Sequence, residues 1–364
     1  MSDNDEASWS RESDIGRTRF TRACQAFEQA WRRGAGAEGR YVLAGRATRL
    51  RVLGALLTRH VEAPFAHLRT PESNGPPDLT IDLWDVDEIG NDGTAPATGG
   101  PLDRTWALDD GTLAVSPDNS LVSHATRTGV VFLDRAERRI VGWVSAAHQL
   151  PLYDRARPLQ ILLALCATDG EVHAVHGAFV AREGRGVLLV GDSGAGKSTA
   201  ALCCLEAGLT YLGDDWIGVG RSADGAIVGH SLYSSVSLEP AQVACFPRLR
   251  SCAVPPRNRT DLKSLIMLAD MFPTLIGRTA VVCALALPRV VDAADTRIRP
   301  ATKRDALLTM ARSAICSMRP RGGRAAMEAL TRLAQERPAF WLDVGRDLHQ
   351  IPQRIDEILA ATAS

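Results

Sequence analysis

The chain has 364 residues, 45% hydrophobic and 23% charged, and its 42 Lys plus Arg balance 42 Asp plus Glu. This is the composition of a globular chain of about two domains, and the zero net charge supplies no global field for nucleic acid or an anionic membrane. No window approaches the roughly 20 apolar residues of a membrane helix and Met1 to Arg11 is polar rather than signal-like, so the expectation is a cytoplasmic protein.

In chain order, residues 1–40 read as a polar, Arg-rich segment with a short amphipathic helix at Ala23 to Trp31. Residues 41–160 read as a β-rich domain, from the short apolar runs at Tyr41–Leu43, Leu79–Trp84, Thr112–Val115, Gly129–Leu133 and Ile140–Val144. The Gly/Pro/Asp-rich stretch from Glu88 to Asp103 predicts an exposed loop. Pro158 to Ala167 predicts a buried helix near the boundary with a third region, residues 161–364. There the order is strand (Val172–Val180), strand (Val187–Val190), glycine loop, helix (Lys197–Ala207) with Gly208 as its cap, and a strand ending at Asp214. A β-loop-α-β unit results. Val281–Leu287 predicts a further core strand, and Asp305 to Ala361 is mostly helical. The eight cysteines form no CxxC pair and read as buried free thiols.

Gly191-Asp192-Ser193-Gly194-Ala195-Gly196-Lys197-Ser198 meets every fixed position of G-x-x-x-x-G-K-[ST], after an apolar strand and before a helix. Glycines let the backbone curl so that successive N–H groups face phosphate oxygens, and the helix N-terminus adds positive potential. Gly191 to Thr199 is the candidate nucleotide-binding segment for ATP. Lys197, expected exposed in the loop, is assigned to the β- and γ-phosphates, and the Ser198 hydroxyl to Mg²⁺. The plain alternative is a glycine turn that only connects strand to helix. Asp214 and Asp215, at the end of the returning strand, can divide metal contact and proton acceptance between them, or merely begin a turn. His176, fifteen residues before Gly191, reads as either a structural histidine or a site residue.

His176-Gly177, the run Gly186 to Ser198, Ala201-Leu202, Gly208 and Asp214-Asp215 together resemble the core of the HPr kinase/phosphorylase family. Softer segments are similar to HPr-kinase-like enzymes of lasso and other ribosomally made peptide pathways: Leu79 to Trp84, Leu232-Tyr-Ser-Ser235, Ala286 to Arg289, and Gly345 to Pro352. The resemblance implies a PEP-carboxykinase-like P-loop kinase domain, ATP with Mg²⁺, and γ-phosphoryl transfer to a serine of a peptide or protein. It implies Asp214 as base with His176 and Asp215 beside it, Asp215 joining Ser198 at the metal. HPr kinases form hexamers, which leaves a homo-oligomer open. Thr199 stands where HPr kinases carry Glu, and Ser237 where related sequences carry Lys, which implies a phosphate contact either lost or moved to another residue such as Lys263. Arg319, Arg321 and Arg324, flanked by Pro320 and Gly322-Gly323, read as a mobile phosphate-closing loop or as a solvated charge run. A nucleotide-switched regulator that hydrolyses ATP slowly, or a kinase for a small-molecule hydroxyl, are the other readings.

Overall fold

A computed structural model of the chain describes residues 3–34, 36–71, 75–90, 104–108, 111–168, 172–256, 262–315 and 323–362. The chain divides into two compact units. Met1–Val42, Arg46–Ala63 and Arg69–Pro151 form the first, and Leu43–Gly45, Pro64–Leu68 and Leu152–Ser364 the second.

The first unit contains α1 (Asp3–Arg32), β1 (Gly36–Leu43), β2 (Arg46–Leu53), α2 (Ala55–Phe65), β3 (Arg69–Thr70), β4 (Leu79–Asp85), α3 (Val86–Ile89), β5 (Arg104–Leu108), β6 (Gly111–Val115), β7 (Leu121–Thr126), β8 (Gly129–Asp134) and β9 (Arg139–Val144). Among the described residues these strands form one sheet in the order β3-β1-β2-β4-β9-β8-β7-β6-β5. β2, β4 and β9 run parallel, and β5 to β9 form an antiparallel meander. The expected loop at Glu88 begins only after α3, and its residues 91–103 lie outside the described ones.

The N-terminal expectation needs correction, because one helix spans Asp3–Arg32 where only Ala23 to Trp31 was predicted. Phe20, Ala23 and Phe27 recur at helical spacing and are buried against Trp84, Phe132 and Trp143 of the sheet. Charge fastens the same face. Arg51 donates to Asp82 at 2.7 and 2.9 Å and to Glu28 of α1 at 2.6 Å, and lies 4.8 Å from the Phe27 ring centroid. The arginines that made the segment look solvated therefore hide a stripe of apolar residues.

The second unit contains α4 (Leu152–Ala156), α5 (Gln160–Thr168), β10 (His173–Val175), β11 (Gly177–Arg182), β12 (Arg185–Val190), α6 (Lys197–Glu206), β13 (Thr210–Gly213), β14 (Ile217–Arg221), β15 (Ile227–Ser231), β16 (Ser235–Leu238), α7 (Pro240–Cys245), α8 (Pro247–Arg250), β17 (Ser264–Met267), α9 (Leu268–Met271), β18 (Thr279–Val290), β19 (Arg297–Ala301), α10 (Lys303–Ile315), α11 (Gly323–Glu336), β20 (Ala339–Val344) and α12 (Ile351–Ala361). Its main sheet runs β10-β14-β15-β18-β12-β11-β13, with β20 beside β18 and β19 beside β20. β12, β18 and β20 are parallel. Val187 to Val190 are fully buried, as a central strand covered on both faces requires. Val187 and Leu189 pack with Leu202 and Leu205 of α6 and Ile355 and Ile358 of α12. Leu188 and Val190 face Met310 of α10 and Leu330 and Leu333 of α11.

The predicted single strand Val172–Val180 is in fact two, because the chain changes partners at His176. β10 pairs with β14, whereas β11 pairs with β12 and β13. The cysteine expectation holds for Cys166 and Cys204, which are buried, but Cys245 and Cys252 are exposed, and Cys316 lies outside the described residues.

Candidate active site

Three segments converge at the start of β11. Gly177 pairs with Val190, the last residue before the glycine loop, and its N–H donates to the Asp215 carbonyl at 3.3 Å. Two residues on, Phe179 pairs with Gly213, which precedes Asp214. A Cβ on Gly177 would lie 2.7 Å from the Leu189 carbonyl oxygen, so this close approach needs glycine.

The loop from Gly191 to Gly196 joins β12 to α6. Gly194 and Gly196 have φ of 80° and 100°, left-handed values that glycine adopts without a Cβ clash, and Gly196 is the N-cap of α6. Ala195 N–H closes on the Asp192 carbonyl at 3.2 Å. Asp192, Ser193 and Gly194 are exposed, while Ala195, Gly196, Ser198 and Thr199 are half-buried. Lys197, expected exposed, is buried. Its ammonium folds back across the loop and donates to the carbonyls of Gly191 at 2.9 Å and Asp192 at 3.0 Å. Burial lowers its pKa, against the opposing pull of Asp214 and Asp215. Those carbonyls occupy the donors that a phosphate would take.

Asp214 is 3% exposed and accepts from the Asp215 backbone N–H at 2.9 Å. Burial, then the charge of Asp215, push its carboxyl up to about 6, with a Ser198 hydrogen bond opposing. Asp215 adopts φ of 67°, a left-handed conformation uncommon outside glycine, though more accessible to Asp than to most residues. Burial pulls its carboxyl up too, but Arg157, His176, Lys263 and Lys197 outweigh this and hold it below the usual range. The first of these cations forms an ion pair with it. His176 is half-buried, its ring 6.4 Å from that of Trp216 in an edge-on arrangement, and burial together with Lys197 lowers its pKa.

Several expected residues are thus brought together: Lys197, Ser198, Asp214, Asp215 and His176, with Lys263 acting on them electrostatically. Ser237 sits in the short β16–β17 ladder opposite Leu265. Arg319 and Arg321 lie outside the described residues, and Arg324 is exposed and paired with Glu328 along its own helix. Sequence reasoning missed two arginines. Arg157 grips Asp215, and Arg312 of α10 approaches the loop's Asp192 at 3.3 Å. Each pairs with a residue more than 50 positions away, so no local spacing marks it.

Among the described residues no group of three or more His, Cys, Asp or Glu is placed to hold a metal unaided. The Ser198 hydroxyl with Asp214 and Asp215 is nevertheless a set of hard oxygen donors. Mg²⁺ sites of that kind use one or two carboxylates and complete their shell with water and phosphate oxygens.

Residues 170–238 match the family model described as the HPr Serine kinase C-terminal domain. The HPr kinase/phosphorylase of Azoarcus sp. is 27% identical over 188 residues, covering 48% of this chain and 60% of that protein. The HPr kinase/phosphorylase of Bordetella pertussis is 37% identical over 90 residues, covering 23% of this chain and 29% of that protein. The chain therefore spans only part of the length of the curated relatives it matches. The structure of the Hpr(Ser) kinase/phosphatase from Coxiella burnetii aligns over 52% of this chain and 95% of that one, at 13% identity and a TM-score of 0.28. The chain is thus a mixed α/β protein with a β-rich N-terminal part, whose residues 170–238 are similar to the C-terminal domain of HPr kinases.

Proposed function

We propose that this HPr-kinase-like chain is an ATP-dependent kinase that transfers the γ-phosphoryl group to a serine hydroxyl, the acceptor being a precursor peptide of a lasso or related ribosomal peptide pathway. The observation that carries the reading is the meeting, beside β11, of a complete phosphate loop with two adjacent carboxylates, Asp214 buried and Asp215 partly exposed. The loop's backbone N–H groups hold the phosphates, and Lys197 exchanges the Gly191 and Asp192 carbonyls for the β- and γ-phosphates. Ser198 and Asp215 would hold Mg²⁺. When bound, the nucleotide supplies the phosphoryl group and its metal neutralises the charge that develops during transfer.

Asp214 accepts the proton of the attacking hydroxyl. A carboxyl raised to about 6 is mostly ionised at neutral pH, yet more basic than an ordinary aspartate. His176 beside the pair orients the acceptor. The Ser198 hydrogen bond to Asp214 favours a second division of labour in which Asp214 serves the metal and Asp215 the proton. Against it, the Arg157 ion pair makes Asp215 a weaker base. Phosphoryl transfer is assigned to the second unit, and peptide recognition to the β-rich first one.

The test is incubation with Mg·ATP and candidate precursor peptides, with phosphoserine read by mass spectrometry. Lys197→Ala should abolish transfer in a folded protein. Unchanged transfer in that variant would overturn the site, and ATP hydrolysis with no phosphorylated acceptor would favour the regulatory ATPase.

A further inference from the structure

Arg157 has no place in the phosphate-loop pattern, yet its side chain is only 5% exposed and its partner is one of the two site carboxylates. It lies in the turn between α4 and α5, and that turn is fastened on both sides. The Arg157 N–H donates to the Tyr153 carbonyl at 3.0 Å. The preceding Ala156 carbonyl accepts from the buried Ser235 hydroxyl, and the following Pro158 carbonyl accepts from the buried Tyr233 hydroxyl at 2.9 Å. Tyr233 is itself stacked on Phe65. The guanidinium lies 5.1 Å from the centroid of the Tyr153 ring.

At the other end of the ion pair, Asp215 is left-handed, and its backbone is tied to the Asp214 carboxylate and to Gly177. Its side chain is 26% exposed, against 5% for Arg157. The carboxylate can therefore reach a ligand while the guanidinium is sealed behind it. We infer that Arg157 is a positioning residue, which fixes the orientation of the Asp215 carboxylate and the Asp214–Asp215 turn for a magnesium nucleotide without touching that ligand itself. The inference rests on the kinase reading only for the identity of the ligand. A fixed second cation behind the pair also offsets one of two adjacent negative charges, which Lys197 alone does not do once it turns to phosphate.

A structural ion pair would look similar, but it behaves differently. Replacing both partners of a buried pair is often neutral for stability, whereas removing one leaves an unmatched charge. A positioning role acts only through Asp215. The experiment compares wild type, Arg157→Met, Arg157→Lys, Asp215→Asn and the Arg157→Met/Asp215→Asn double variant. It measures ATP binding by calorimetry with and without Mg²⁺, and turnover beside it.

Arg157→Met should weaken Mg·ATP binding by roughly 10- to 100-fold, the usual cost of losing a residue that orients a metal ligand, while leaving metal-free ATP binding near the wild-type value. Arg157→Lys should recover part of the loss. The double variant should bind Mg·ATP as Asp215→Asn does, because once the carboxylate is gone nothing remains for Arg157 to orient. Should Arg157→Met fail to fold, Arg157→Lys, which keeps the positive charge, carries the test by itself: weaker Mg·ATP binding with metal-free ATP binding unchanged supports the inference, and wild-type Mg·ATP affinity overturns it. Equal affinities of the double variant and Asp215→Asn support the inference, and a further loss of tenfold or more in the double variant overturns it, as does wild-type Mg·ATP affinity in a folded Arg157→Met. A wild-type protein that binds Mg·ATP but phosphorylates no acceptor would count against the kinase reading and leave the binding comparison intact.

Discussion

Replacing Asp214 by asparagine should make the metal-free protein more stable above neutral pH while removing most of its turnover. In the folded chain the Asp214 carboxyl is lifted from 3.8 to about 6 by burial and by Asp215. Between those values the folded protein keeps a proton that the unfolded chain has released. The group's contribution is therefore fully present below 3.8 and is lost as the pH rises through 6. A shift of about two units at 1.36 kcal/mol each corresponds to about 3 kcal/mol of burial cost carried by the ionised side chain at pH 8. Asparagine keeps the shape and accepts from the Asp215 N–H without a charge. In EDTA at pH 8 the variant should melt several degrees above wild type, given the usual 2–4 °C per kcal/mol for a unit of about this size. Near pH 4 the two should converge. Turnover with Mg·ATP and peptide should fall by roughly 10² to 10⁴, the usual general-base contribution. Equal melting temperatures at both pH values would refute the account of the carboxylate as a destabilising buried charge. Lost Mg·ATP affinity with residual turnover unchanged would instead move Asp214 to the metal and Asp215 to the proton.

The remaining expectations are simpler to read. With Asp214 as the ionised base, kcat/KM should rise with pH through about 6, and a profile flat from pH 5 to 8 would exclude that role. Gly196→Ala should lower stability by about 1–2 kcal/mol, because φ of 100° is strained for any residue with a Cβ, and should weaken nucleotide binding through the same loop; calorimetry and thermal unfolding read both. Asp82→Asn should destabilise the first unit by about 3–5 kcal/mol, since it leaves Arg51 and Arg139 without their fully buried carboxylate partner. Urea unfolding of that unit, with no change in Mg·ATP affinity, is the expected pattern. A maleimide reagent should label Cys245 and Cys252 far faster than Cys204, whose thiol burial holds well above its ordinary range.

The parts of the site that lie close together in sequence could be read without coordinates. The loop's glycines, Lys197 and Ser198 form one contiguous pattern, and the four residues before them, Val187 to Val190, are all apolar because that part of the strand is covered on both faces. The break at His176 was not legible, since Val172 to Val180 is compatible with strand throughout and the sequence does not say where the chain changes its pairing partner. The burial of Lys197 could not be seen either, because it depends on the side chain turning back onto its own loop. α1 was underestimated because its charged residues outnumber the stripe at Phe20, Ala23 and Phe27, and only the sheet opposite gives that stripe a purpose. Arg157 was invisible for a related reason: its partner is 58 residues downstream, and an arginine in a short helical turn looks like any other.

The convergence at Gly177 has a consequence for how the chain tolerates change in length. β11 sets the spacing between the loop and the carboxylate pair, since one of its edges carries the strand that leads to Gly191 and the other the strand that leads to Asp214. Successive side chains of a strand point to opposite sides, so one residue inserted or removed within Gly177–Arg182 would exchange Ala178 and Val180 with Phe179 and Ala181 between two different cores. The exposed hairpin turn at Glu183-Gly184 tolerates lengthening better than shortening, because only these two residues, both at left-handed φ, join the paired Arg182 and Arg185, and an added residue there enters neither core. Insertion scanning across residues 177–190 should therefore find the turn more permissive than the strand. In hydrogen exchange, the amides of β11 should be among the last in the second unit to give up their protons.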